Sequence, residues 1–101
     1  MATLTGSQRK QLRGFAHAFK PLVQIGKDGL TDNVIGAIEA ALEAHELVKV
    51  KIAAERVDRE RMVPAIEQRA RCECVGTVGR MAILYRRNPD PDKRRIVLDE
   101  T

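Results

Sequence analysis

The fold class this sequence predicts is α+β: three helices packed on one face of a four-stranded mixed sheet, a two-layer α/β sandwich in the order α-β-α-β-α-β-β. Three observations carry that expectation. Apolar residues fall at helical spacing over Leu12–Phe19 and again over Val34–Leu42. Residues Leu47 to Ala53 alternate, with Val48, Val50 and Ile52 on one side and Lys49 and Lys51 on the other. The spacing Gly-x-x-Gly occurs twice, at Gly26–Gly29 and Gly76–Gly79, each time beside a short apolar run.

The elements follow in order. The first helix is expected from about Ser7 to Phe19, capped by Thr5, Gly6 or Ser7. Pro21 stops it, because the residue before a proline avoids the helical region. Leu12, Phe15, Ala16 and Phe19 make its inward face, while Arg9, Arg13 and Lys20, with Lys10 and His17 beside them, line the other side. Leu22 to Ile25 reads as a short buried strand, and the first glycine loop follows it. The second helix starts after Thr31 or Asp32 and runs to about His45, with Val34, Ile35, Ile38, Ala41 and Leu42 inward and Glu39, Glu43 and Glu46 outward. Leu47 to Ala53 is a half-buried strand with a basic outer row. Arg56 to Ala70 is helical in character, with Val63, Ile66 and Ala70 inward. Pro64 favours a late start near Met62, since a proline is tolerated in the first turn of a helix and not in its middle. Cys72–Val75 and Met81–Arg86 are strands joined by a tight hairpin. The stretch NPDPDKRR is a proline-interrupted loop, and Ile96 to Leu98 is expected as a short edge strand.

A chain of 101 residues with 44% hydrophobic content is expected to be one domain over 1–101, with a core at about 4–87 and a loop or tail at 88–101. No run approaches the roughly 18 to 20 apolar residues of a membrane span, and the N-terminus lacks the apolar core of a signal peptide. A soluble, cytoplasmic monomer is the expectation. Formal charge is +4, unevenly spread. Before Asp28 the charged residues are Arg9, Lys10, Arg13, Lys20 and Lys27, all basic. Between Lys27 and Lys49 only acids occur, and Val75 to Asn88 holds Arg80, Arg86 and Arg87 without any acid. Faces of opposite sign, one of them basic, favour a polyanionic partner.

Catalytic and metal chemistry find little to work with. Cys72 and Cys74, two apart on a strand, share a face, a geometry ill suited to a bond between them. Zinc needs about four ligands, and His17 and His45 sit on separate helices. No nucleophile–base set or paired-carboxylate cleft can be assembled, so no enzyme activity, cofactor, metal or small-molecule substrate is expected. Buried, reduced thiols are the plain reading of the cysteines.

The first glycine loop is the better anion site of the two. Glycines let backbone N–H groups converge, the following helix offers about half a positive charge at its N-terminus, and Lys27 adds a mobile cation. The loop lacks the Gly-Lys-Ser/Thr ending of a nucleotide-binding P-loop and the third glycine of a dinucleotide fingerprint. Gly76 to Gly79 lies between strands, where glycine serves the turn, and Arg80 is its one functional attraction.

The stretches LTGSQRKQLRGFAH, KPLVQIGKDGLTDNVIGAIEAALEAHELVKVKI and VGTVGRMAILYRR together resemble the CRM domain family (chloroplast RNA splicing and ribosome maturation), in particular its single-domain bacterial YhbY type. The resemblance runs from about Leu4 to Arg87 and is most specific at KP-x-V-Q-x-G-K-x-G-L-T. It implies the same element order, a KH-like Gly-x-x-Gly loop, RNA binding, and association with precursors of the large ribosomal subunit. Carried onto this chain, Gly26, Lys27 and Gly29 are the RNA-binding positions, with Arg9, Lys10, Arg13, Lys20 and Arg80 extending the surface. Asp28 departs from the frequent neutral Asn, and is expected to turn outward or to cap the second helix. Arg69-Ala70-Arg71 replaces the usual Thr-Gly-Ala after the third helix.

With Phe15 and Phe19 assigned to the core, Tyr85 is the only aromatic left for stacking. The expectation is therefore structured ribosomal RNA, held through phosphate and 2′-OH contacts and read by shape. The competing class is a protein-interaction module, docking on ribosomal proteins through the acidic side of the second helix. DNA binding is weaker, because no helix-turn-helix pairing is present.

Overall fold

The computed structural model describes residues 4–98; residues 1–3 and 99–101 of the expected domain lie outside them. The chain runs α1 (Gly6–Ala16), β1 (Val23–Ile25), α2 (Asp32–His45), β2 (Leu47–Ile52), α3 (Arg56–Ala70), β3 (Glu73–Val78) and β4 (Met81–Tyr85). The strands form one sheet in the order β1-β2-β4-β3. β1 pairs with β2 in parallel, and the other two pairings are antiparallel. Class, element order and mixed sheet are those the sequence predicts.

The layering is different. Alternation along β2 and β4 divides the apolar residues between two cores. Val48, Val50, Ile52, Ala82 and Leu84 pack with Ile38, Leu42 and Ile66 of α2 and α3. Leu47, Ile83 and Tyr85 face the other way and pack with Leu12 and Ala16 of α1. Helices therefore cover both faces of the sheet, α1 alone on one side. The basic outer row of β2 lies on the α1 side, where Lys49 and Lys51 are half-buried, and Lys49 Nζ donates to His17 O at 3.4 Å.

α1 begins with a capping box. Thr5 Oγ1 accepts from Gln8 N, and Gln8 Oε1 accepts from Thr5 N, each at 3.0 Å. It ends at Ala16 rather than Phe19, because the chain must turn to bring Leu22 N to the Lys49 carbonyl, 2.9 Å away. The early exit takes Phe19 off the helical face. Phe15 sits beside the Leu12/Ala16 stripe, so both rings stay exposed, at 49% for Phe15 and 41% for Phe19. Their assignment to the core is corrected.

α3 starts at Arg56, not near Met62, and continues through Pro64. An interior proline removes one helical hydrogen bond. Here the deprived acceptor, the Glu60 carbonyl, belongs to an exposed residue that water can reach, while Val63, Ile66 and Ala70 hold the helix to the core. The Arg56–Glu60 pair at 3.1 Å and Arg59 Nη1 on Ala54 O at 2.6 Å support the turn before it. The helix closes with Arg71 in the left-handed region at φ 52, its N–H returning to Glu67 O.

Two more expectations are corrected at the far end of α2. Glu46 is not on the outer acidic face; it is 0% exposed and sits at φ 64, the single residue between α2 and β2. Its carboxylate accepts from the backbone of Asn88 at 2.7 Å, of Ile96 at 3.0 Å, and of Arg95. Residues 94–98 carry no strand; Ile96 and Leu98 instead pack against the α1-side core. A strand needs a neighbour's ladder, and the tail is fastened by a side chain instead.

Candidate nucleic-acid interface

The two glycine spacings, rivals in the sequence, have different fates. Gly76 lies within β3, opposite Ile83 and next to a register shift between Cys74 and Gly76. The guanidinium of Arg13 crosses there to donate to Val75 O at 2.8 Å, and a β-carbon on Gly76 would stand 2.6 Å from Arg13 Cδ. Only Gly79 and Arg80 form the hairpin turn, with Gly79 at φ +57.

That turn and the first loop share one end of the sheet. Ala53 N donates to Ile25 O at 3.0 Å, and Ile52 N donates to Arg80 O at 2.8 Å. Gly26 follows Ile25 directly, so the loop and the Arg80 turn flank the end of β2, roughly 10 Å apart at two strand spacings. Gly26 to Gly29 closes as a turn, Gly29 N donating to Gly26 O at 3.1 Å, with Gly29 at φ +72. Met62 of α3 backs it: a β-carbon on Gly29 would lie 3.9 Å from Met62 Cε.

Thr31, not Asp28, caps α2, its Oγ1 accepting from Val34 N at 3.2 Å. Asp28 and Lys27 are both exposed, and neither bonds or pairs with another described residue. Asp28 offsets part of the Lys27 charge, and further cations stand at the same end of the sheet. Arg80, Arg56 and Arg59 line a cleft of about 300 Å³ between the first turns of α3 and the hairpin, which Glu60, paired with Arg56, lines as well, so the cations outnumber the acid three to one. Arg56 and Arg59 were not legible as site residues, since only the fold brings the start of α3 to the Arg80 turn. Across the loop's exit, Arg69 donates to Leu30 O at 2.6 Å and pairs with Asp32 at 2.9 Å, fixing the loop against α3.

The remaining candidates lie elsewhere. Arg9 pairs with Glu73 at 2.6 Å and donates to Cys74 O, and Arg13 is tied to Val75 O as described. The acid that the N-terminal stretch lacks locally is thus provided by β3. Lys10 is exposed on α1, and Lys20 is exposed beyond its end, next to Phe19. Arg86 is also engaged, donating to Ala70 O at 2.9 Å and Glu39 O at 3.2 Å, where it joins the end of α3 to the middle of α2. Tyr85 is 6% exposed and cannot act as a stacking platform, whereas the exposed rings are Phe15 and Phe19. The aromatic expectation is inverted.

Both cysteines are free and face the α2/α3 core. The Cys72 thiol is pushed up to about 12, first by burial and then by the Glu67 carboxylate. Cys74 is raised as well, again chiefly by burial. An unfolded chain loses the Cys72 proton from about the ordinary 9.0 upward, while the folded chain retains it. Folding stability should therefore be unaffected by this group below pH 9 and decline as pH rises from 9 toward 12. Urea denaturation at pH 8 and pH 10.5 checks this; the alkaline loss should be smaller in Cys72→Ala, and an equal loss would contradict it.

With this geometry in place, relatives can be compared. The CRS1 / YhbY (CRM) domain matches residues 4–86, and the chain belongs to that family. It is 42% identical over 91 residues to a protein of Pseudomonas aeruginosa named a probable RNA-binding protein, covering 89% of this chain and 88% of that one. A Haemophilus influenzae protein named an RNA-binding protein is 41% identical over 87 residues, covering 85% and 88%. In Bacillus subtilis a probable RNA-binding protein is 38% identical over 88 residues, covering 86% and 92%. Among solved structures, that of a Staphylococcus aureus protein described as a candidate RNA binder superposes with a TM-score of 0.79 at 32% identity, covering 94% of this chain and 100% of that one.

Proposed function

We propose that this chain binds RNA, that the RNA is structured ribosomal RNA, and that it acts in assembly of the large ribosomal subunit. The observation that supports the RNA reading most is the meeting of Gly26–Gly29, Arg80, Arg56 and Arg59 at one end of the sheet. Exposed backbone at a glycine turn, a capped helix N-terminus and a cleft of guanidinium groups together suit phosphates. The names borne by the relatives point the same way. The ribosomal part rests on the resemblance of the KPLVQIGKDGLT stretch to the YhbY type. In this reading the protein is a cytoplasmic monomer that binds without catalysis or cofactor. Among the described residues no helix is long and apolar enough to cross a membrane. Docking on ribosomal proteins through the acidic side of α2 has less to draw on, since Glu46 is buried and Glu43 faces Arg86 and Asn88.

The test is a salt titration of affinity for a folded fragment of large-subunit ribosomal RNA. With about three phosphate contacts, raising salt from 50 to 200 mM should weaken binding by roughly 40-fold. A flat plot would remove the phosphate-dominated mechanism. Co-sedimentation with large-subunit precursors tests the assembly role separately.

A further inference from the structure

At the end of the sheet away from the glycine loop, a second site is built from parts the first does not use. β1 pairs with Val50–Ile52 and Leu22 N reaches Lys49 O, so Leu47 and Val48 at the start of β2 have no strand beside them on that edge. A groove of about 530 Å³ fills the gap, within the range that holds small organic ligands. Its apolar lining includes Phe19, Leu22 and Ile96, with Phe19 41% and Leu22 56% exposed. Lys20, Lys49 and Arg95 stand around it, and among the described residues no carboxylate side chain lines it. An aromatic ring with cations and without anions at its edge matches a nucleotide, whose base is flat and apolar on its faces and whose phosphate is negative. Three cations at the rim favour an anionic ligand over a neutral peptide or a second copy of this chain, whose own net charge is +4.

We propose that this groove is a second RNA subsite, one that takes an unstacked nucleotide of a single-stranded segment. The base lies against the Phe19 ring, and the flanking phosphates meet Lys20, Lys49 and Arg95. The proposal rests on the RNA-binding reading and deepens it. Leu22 in the groove and Gly26 in the loop are four residues apart along the edge strand β1, a span of roughly 13 Å. A single strand following that edge would engage both sites, so the protein would favour a structured RNA that carries an unpaired segment over a plain duplex.

The experiment measures fluorescence anisotropy of the whole protein with two probes, a labelled single-stranded RNA of about ten nucleotides and a blunt RNA duplex of equal length. Phe19→Ala should weaken the single strand by about 5- to 150-fold, the loss of one base–aromatic stack, and leave the duplex within about twofold. Phe19→Trp should restore single-strand affinity. Thermal unfolding of each variant shows whether the fold is intact; a Phe19→Ala loss that Phe19→Trp does not rescue counts against stacking. If Phe19→Ala leaves the single strand unchanged while Lys27→Ala weakens both probes, the groove proposal fails and RNA binding stands. If the wild-type protein binds neither probe nor ribosomal RNA, both readings fall. A change in sedimentation mass with no change in RNA affinity would reassign the groove to a second copy of the chain.

Discussion

Replacing Glu46 with alanine should destabilise the protein by about 3 kcal/mol, the largest effect on the fold expected of any single side chain described above. The carboxylate is fully buried and accepts three backbone N–H groups from the segment after β4. Hydrogen bonds to a charged acceptor each contribute about 1.5–3 kcal/mol, but removing the charge also recovers its desolvation, so the net lies well below their sum. Asn88, 4% exposed, would keep a buried donor with no acceptor, while the Arg95 and Ile96 amides, in a part-buried setting, could turn to water. A loss of that size lowers the melting temperature of a domain this long by about 15 °C. Glu46→Gly should lose less than Glu46→Ala, because glycine relieves the left-handed backbone at φ 64. Urea denaturation of the two variants measures both effects; a loss below about 1 kcal/mol in Glu46→Ala would show that the buried carboxylate does not hold the tail.

The second large effect concerns RNA. Lys27→Ala with Arg80→Ala should lower affinity for a folded ribosomal RNA fragment by about 100-fold, and flatten the salt plot by close to two contacts' worth of slope. Both residues are exposed, at one end of the sheet and with no bond between their side chains. Each single change should therefore give about a tenfold loss, and the two should combine nearly additively. Had the loops been alternative sites, one of the single changes would be silent. A silent Arg80→Ala beside a full loss in Lys27→Ala would confine the contact to the first loop. Unfolding midpoints of both variants should stay close to that of the wild type, since neither residue packs in a core.

Which features could be read from the sequence follows from how local their causes are. The Val34–Leu42 spacing and the Val48/Val50/Ile52 alternation report which face of an element is buried, so α2 and β2 were legible almost to the residue. What the spacing cannot report is which side of the sheet a helix will choose. Leu12 and Ala16 are apolar whichever core they enter, and α1 goes to the face opposite α2 and α3. Pro64 misled for a related reason: its local penalty is real, but long-range packing of Val63, Ile66 and Ala70 outweighs it. Phe19 and Tyr85 exchanged places because burial at a chain turn is settled by where the chain must go next. The first loop stood out through its own residues, whereas its association with Arg80, Arg56 and Arg59 depends on strand order, which no short stretch contains. Arg9 lacks an acid nearby in sequence and finds one at Glu73, on a strand formed by the other half of the chain.

The tail fastened by Glu46 has a consequence for where this domain stops as a folding unit. The family's shared segment closes at residue 86, yet the donors that satisfy Glu46 come from Asn88, Arg95 and Ile96. A polypeptide cut at the family boundary would contain α1–α3 and β1–β4 and leave the Glu46 carboxylate without the donors from beyond the cut. It would also lose the Ile96 and Leu98 side chains that complete the α1-side core. The cooperative unit thus reaches at least ten residues past the end of the family domain match, to Ile96 and Leu98. Those added residues include Arg95 and Ile96, which line the groove proposed as a second subsite, so that groove and the anchoring of the tail depend on the same glutamate.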